Sequence, residues 1–295
     1  QGNIILPTLE TLLKIFKLFF LSLFLLSLLY TNTDSLSIPT LGRTNDPRLQ
    51  SDIGNIKILY RKLLWKSLSF LGARNVASLA YPNSIAYMDS DNSVAITIDD
   101  GFCGIDNPSG DMTEEIRLLL KKYRAKATFF IAGTHCSHTS KNAIEKLLAD
   151  GHELANHSMY DIPYADLPID YFEKDLIQTK NILDVYTNNL SKWYRAPHAS
   201  ITNEMHNVIK KHNLTHVIGD VFANDTSIPD PKWIANLILK TVQPGSIVIL
   251  HMPERGVREW TYEALELVLK GLTEKNLNML NLTSLEIKSK LIDLN

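Results

Sequence analysis

Short apolar, β-branched runs recur along most of the chain, at 94–99, 126–132, 153–156, 192–194, 216–219, 246–250 and 278–282. In the first of them Val94, Ile96 and Ile98 fall on alternate positions, the period-two pattern of a strand with one face in a core. Between the runs the spacing becomes helical: Phe172, Leu176, Leu183 and Tyr186 fall on one helical face. Start signals accompany these stretches. Asp111 stands three residues before Glu114, and Asp170 three before Glu173, as in a capping box, while Asp230-Pro231 sets proline at a first helical position. Alternating strands and helices predict an α/β fold with a parallel sheet. Seven such strands, with no glycine fingerprint for a dinucleotide, predict a (β/α) barrel, complete or incomplete, rather than a doubly wound sheet.

Ahead of this rhythm the pattern is different. From Ile15 to Tyr30, IFKLFFLSLFLLSLLY carries a single charge, Lys17. This is a little short of the roughly 20 residues that span a bilayer, and including Leu12 and Leu13 makes a tilted span. Lys14 and Lys17 favour a cytoplasmic N-terminal end. The segment reads as a hydrophobic membrane-anchoring helix, with a cleaved signal peptide close behind; a core helix would show one polar face. Either reading sends the rest of the chain into the secretory pathway, lumenal or extracellular. Residues 1–45 are thus taken as anchor or signal plus polar linker, 46–90 as an amphipathic lead-in, and 91–290 as the barrel. Leu49, Ile53, Ile56, Leu59 and Leu63 set the lead-in helix, and Gly72 stops it. Asn189, Asn213, Asn224 and Asn281 begin glycosylation acceptor triplets, consistent with a glycoprotein; Asn156 begins another but is expected to be buried. A net charge of −2 gives no electrostatic case for a nucleic-acid partner, and two cysteines exclude a disulfide scaffold or a cysteine-based zinc module.

In a parallel barrel the chemistry gathers at the C-terminal ends of the strands. Those ends read Asp99 and Asp100, then His157, Arg195, Asp220 and His251. Each alone has an ordinary reading. A strand-end Asp is usually a turn former or cap, a single histidine a hydrogen-bonded core residue, an arginine the partner of a surface carboxylate. Their arrival at one rim together points to a site. The stretch SVAITIDDGFCG (93–104) ends a core strand on two adjacent like charges, which a cation would reconcile. His157 and Asp161, four apart, face the same way on a helical turn and with Asp100 make a facial metal site of one imidazole and two carboxylates. A metal there leaves Asp99 as a base toward a water of lowered pKa, and His251 as the acid that protonates a leaving group.

TIDDG (97–101), HSMYD (157–161), RAPHA (195–199), GDVFAND (219–225) and IVILH (247–251) resemble, in order, the five motifs of the polysaccharide deacetylases, chitin deacetylases among them. KATFFIAG and GHELANH are similar to the segments between motifs. The resemblance covers residues 90–285 and implies a distorted (β/α) barrel that removes N-acetyl groups from sugar polymers with a divalent metal, usually zinc. Carried across, Asp99 resembles the catalytic base, Asp100 and His157 metal ligands, and Arg195 the residue that holds and tunes the base. His198 stands where a backbone N–H helps stabilise the oxyanion. His251 resembles the acid, with Asp220 or Asp225 as its partner.

The sequence departs from the family pattern in ways that matter chemically. Asp161 takes the place of a second histidine ligand and shifts the site toward harder ions, so cobalt and manganese stand beside zinc. His198-Ala199 replaces an aromatic and a small residue, and the fourth motif lacks its Trp, with Gly219 and Thr226 nearby. After His251 comes the charged MPERGVREW, from which Trp260 or Arg255 is expected at the substrate. Cys103 and Cys136 follow adjacent strand ends, within disulfide reach in an oxidising lumen. The expected function is metal-dependent N-deacetylation of chitin or a related N-acetylglucosamine polymer at a cell wall. Two alternatives remain open: a carbohydrate-binding pseudoenzyme of the same fold, favoured by Asp161, and an amidase for small C–N substrates, for which a membrane tether has no purpose.

Overall fold

The computed structural model describes residues 52–70, 72–187 and 192–292. The apolar segment and linker at 1–45, with its anchor or signal role, lie outside the described residues, as do the first residues of the lead-in and the Asn189 acceptor triplet. Among the described residues no helix is long and apolar enough to cross a membrane. The strands are β1 (Ser93–Gly101), β2 (Ala127–Ile131), β3 (Glu153–Asn156), β4 (Trp193–Tyr194), β5 (Thr215–His216), β6 (Val221–Phe222), β7 (Ile247–His251) and β8 (Asn278–Leu280). The helices are α1 (Asp52–Phe70), α2 (Ala73–Ala80), α3 (Thr113–Lys122), α4 (Lys141–Ala149), α5 (Ile169–Leu183), α6 (Asn203–Lys211), α7 (Pro231–Thr241), α8 (Trp260–Glu274) and α9 (Leu282–Ile292).

All strand pairs are parallel, in the order β5-β4-β3-β2-β1-β7-β6, with β8 beside the start of β1. Strand β1 is buried at every position because both of its faces are covered. Val94, Ile96 and Ile98 pack with Ile116, Leu120, Ile234, Ile238 and Leu265 of the surrounding helices. Ala95, on the other face, packs with Phe130, Ala155, Trp193, Val217 and Ile247 inside the barrel. Alternation puts Thr97 and Asp99 on that same inner face, which therefore turns polar toward its C-terminal end. The sheet is a curled, distorted (β/α) barrel. Between β5 and β7 it is spanned by Ile85–Met88: the Ile85 N–H donates to the His216 carbonyl (3.0 Å), Ile218 N–H to Ile85 (2.9 Å) and Met88 N–H to Gly245 (3.0 Å).

The run at 216–219 is not one strand. β5 ends at His216, Gly219 turns the chain at φ +89°, and β6 starts afresh beside β7, so that the described residues form eight strands from seven apolar runs. Asp230 caps α7 as its proline signals, accepting from the Trp233 N–H at 3.0 Å. The two capping boxes differ from expectation. Asp111 lies two residues before the first residue of α3 and accepts from the Thr113 N–H (2.8 Å), while α5 begins after Pro168, so Asp170 sits inside its first turn and not at its cap. The lead-in helices join the barrel body through Lys62–Asp230 (2.6 Å), Arg74–Asp220 (3.1 Å) and Trp65 edge-on to Phe222 (4.9 Å).

Candidate active site

At the rim of β1 the two carboxylates part company. Asp99 continues the inner face, and its Oδ1 accepts from Arg195 Nη1 at 2.6 Å. Arg195, just past β4, is buried: the same Nη1 donates to Thr97 Oγ1 (2.8 Å), Nε donates to the Val217 carbonyl (3.1 Å), and the guanidinium lies 4.1 Å from the centre of the Phe130 ring. Thr97 in turn donates to the Val248 carbonyl at 2.7 Å. Burial lowers the Arg195 pKa, and the Asp99 charge opposes that. A buried ion pair holds only when hydrogen bonds fix both partners; here β1, β4, β5 and β7 all contribute. The result is a carboxylate locked in one orientation.

Asp100 turns away because its backbone is left-handed (φ 57°). It faces the loop after β3. There His157 Nδ1 lies 2.8 Å from the Arg195 carbonyl oxygen, which can only accept, so Nδ1 carries the proton and Nε2 points at Asp100 Oδ1, 3.6 Å away. Asp161 completes a group whose ligand atoms lie within 4.8 Å of one another. The four-residue spacing reaches this result by another route than a helical turn. Residues 157–161 are an irregular loop, reversed at Ser158 (φ 63°) and stapled by Ser158 N–H to Asn156 Oδ1 (2.8 Å) and by the Ser158–Tyr194 hydroxyl pair (2.9 Å). Asn156 is buried, as expected.

The electrostatics fit a divalent cation. The Asp100 charge, followed by burial, raises the Asp161 pKa, with His198 opposing. Burial works against a charged His157, yet the carboxylates around it, Asp100 first, hold its pKa above the ordinary value. Asp100 itself sits well below the usual carboxylate range: burial opposes its charge, but Arg258 and then His157 prevail. An oriented imidazole and two mutually repelling carboxylates are suitable donors for such an ion. His198 is at the mouth, its Nε2 3.2 Å from Asp161 Oδ1 and its backbone left-handed at φ 55°.

His251 ends β7 in register with Asp99. Its Nδ1 lies 2.9 Å from Asp225 Oδ1, and its backbone N–H donates to Asp225 Oδ2 at 2.8 Å. Burial disfavours the imidazolium, but the buried Asp225 charge outweighs it and pushes the pKa up to about 9. Nδ1 faces the carboxylate, so Nε2 is the nitrogen left for a reacting group.

The structure corrects the expectations for Asp220 and for the two cysteines, and shows how Trp260 and Arg255 are held. Asp220 is not at this rim and is not the partner of His251. It precedes β6 at the opposite end and accepts from the Ile247 N–H (2.8 Å), Ser246 Oγ (3.0 Å) and Arg74 Nε (3.1 Å). Trp260 and Arg255 each have a partner within the chain. Trp260 is buried and its indole N–H donates to the Asp225 carbonyl (2.7 Å), holding the loop that carries Asp225, while Arg255 is exposed and paired with Glu115. Cys103 and Cys136 are free: Cys103 Sγ turns to the Asn107 carbonyl (3.0 Å), Cys136 lies among the apolar core, and burial pushes both thiols up to about 12.

Sequence reading missed Arg258. Its Nη1 donates to Asp100 Oδ2 at 2.7 Å with the side chain only 12% exposed. It lies within MPERGVREW, and no spacing rule relates it to a residue so far away in the chain.

Known proteins resemble this chain in sequence and in fold. Residues 87–217 match the polysaccharide deacetylase family. The chain is 26% identical over 215 residues to a peptidoglycan-N-acetylglucosamine deacetylase of Bacillus cereus, spanning 73% of this chain and 75% of that protein. It is 30% identical over 163 residues to a chitooligosaccharide deacetylase of Bradyrhizobium sp., spanning 54% and 70%. In fold it is similar to a CE4 family pseudoenzyme from Bacillus anthracis (TM-score 0.61, 22% identity, 70% of each chain) and to peptidoglycan deacetylase PdaC from Bacillus subtilis (TM-score 0.60, 22% identity, 69% of this chain and 94% of that one). The chain belongs to the polysaccharide deacetylase family.

Proposed function

We propose that the chain is a metal-dependent hydrolase that removes N-acetyl groups from chitin or a related N-acetylglucosamine polymer. One observation carries the reading: a clamped carboxylate (Asp99–Arg195), a cation-fitting cluster (Asp100, His157, Asp161) and a carboxylate-backed imidazole (His251–Asp225) meet at one rim. A simple binding site has no need of both a proton acceptor and a proton donor. Asp100, His157 and Asp161 would hold the ion, zinc or with Asp161 cobalt or manganese, which when bound supplies charge to polarise the amide carbonyl and ease proton loss from water. Asp99 accepts that proton, and Arg195 keeps it aimed. His251, kept protonated through neutral pH by Asp225, delivers a proton from Nε2 to the departing amine. By the family resemblance, the backbone N–H at His198 would help stabilise the oxyanion. The apolar run at 15–30 supports a secreted or membrane-tethered protein acting outside the cytoplasm, near a wall polymer.

Asp161 in place of histidine, and Arg258 on Asp100, favour a second reading, a carbohydrate-binding barrel without turnover. Acetate release from chitooligosaccharides separates the two. The parent chain should release acetate, and Asp99→Asn should lower the rate by about 10²–10⁴-fold with unchanged circular dichroism. Sugar binding by the parent with no acetate released would favour the second reading.

A further inference from the structure

Arg258 is a half-buried charge at this rim that the proposed reaction does not use. Its Nη1 donates to Asp100 Oδ2 at 2.7 Å, while its Nε is buried with no hydrogen-bond partner. The guanidinium therefore has one firm anchor, and that anchor is a residue of the cation-fitting cluster. The backbone beneath it is held. Glu254 accepts from the Gly104 N–H (2.8 Å) and Asn107 Nδ2 (2.9 Å), Arg255 N–H donates to the Gly110 carbonyl (2.9 Å), and Thr261 N–H and Oγ1 both donate to the Arg258 carbonyl (2.9 Å each). Arg258 itself is left-handed, at φ 55°. The backbone is thus anchored on both sides of Arg258, and side-chain torsions are the direct way to move the charge.

The charge balance explains why an arginine belongs there. Asp161 brings a negative charge to a position where the family pattern has a neutral imidazole, and Arg258 brings one positive charge to the same cluster. Positive charges a few ångströms apart in a poorly solvated site repel strongly. We propose that Arg258 is a built-in counter-cation of this site, holding Asp100 while no metal is bound and competing with the divalent ion for that carboxylate. The proposal rests on the metal-dependent reading above. It makes metal affinity a property set by this arginine, with binding coupled to a swing of its side chain away from Asp100.

Isothermal titration calorimetry of the metal-stripped intact chain with zinc and with manganese tests it. Arg258→Gln and Arg258→Met, two neutral variants so that a folding defect peculiar to one does not decide the matter, should lower the dissociation constant by about tenfold or more. Arg258→Lys keeps the charge and should change it by less than about threefold. Neutral variants that bind metal no better than the parent, or more weakly, would make Arg258 a buttress of Asp100 and overturn the proposal while leaving the metal-dependent reading intact. Absence of metal binding in parent and variants alike would overturn both.

Discussion

Asp225 acts on His251 in two ways, by fixing the ring through Nδ1 and by stabilising its charge. An acid with a pKa of about 9 is protonated below that value, so deacetylation should hold steady through neutral pH and fall as pH rises through about 9. Replacing Asp225 by Asn removes the charge that raises this pKa. The alkaline limb of the rate profile should then move to lower pH by about 1–3 units, read from kcat against pH. An unmoved limb would mean that another group sets it. Asp99, Asp100, His157, Arg195 and His251 were legible because a parallel barrel delivers strand-end residues to one rim. The choice between Asp220 and Asp225 was not, because it depends on a two-residue strand and on a turn at Gly219 that no hydrophobic pattern marks. Arg258 was invisible for a different reason: an ion pair across 158 positions leaves no local trace.

Among the elements, long apolar runs gave the strands their places, and backbone geometry supplied the rest. Left-handed non-glycine residues gather at the site, at Asp100 near the end of β1 and at Ser158, His198, Ala199, Asn224 and Arg258 in the segments around it. Such conformations persist where neighbouring structure fixes them, as at functional sites. They also explain why Asp161 reaches the cluster from a loop rather than a helix. Asp220 shows the converse, a rim candidate that proved to be a structural fastener of β6, β7 and α2. Asp220→Ala leaves the Ile247 N–H without its partner and should destabilise the chain by about 2–4 kcal/mol in denaturant melts. Turnover of the folded fraction should be unchanged. Gly245 joins the spanning segment to β7 at φ +83°, and an added Cβ would sit 1.8 Å from the Met88 carbonyl oxygen. Gly245→Ala should therefore cost about 2 kcal/mol or more.

For the molecule as a whole, the barrel and its lead-in helices form one support for the site. Trp65 of α1 packs edge-on against Phe222 at 4.9 Å, and Phe222 lies 5.8 Å from the His251 ring, tilted by 55°. Trp65→Ala should cost about 1–3 kcal/mol by removing that contact, and lower kcat severalfold through a less firmly held imidazole. Loss of stability with kcat untouched would confine α1 to a scaffold role. The most direct test of the account is acetate release from chitooligosaccharides by the intact chain, stripped of metal and then titrated separately with zinc, cobalt and manganese. Activity absent after stripping and restored by at least one ion is the expected result. Silence with every ion, alongside retained sugar binding, would contradict it and leave a deacetylase barrel that binds its polymer without cutting the amide.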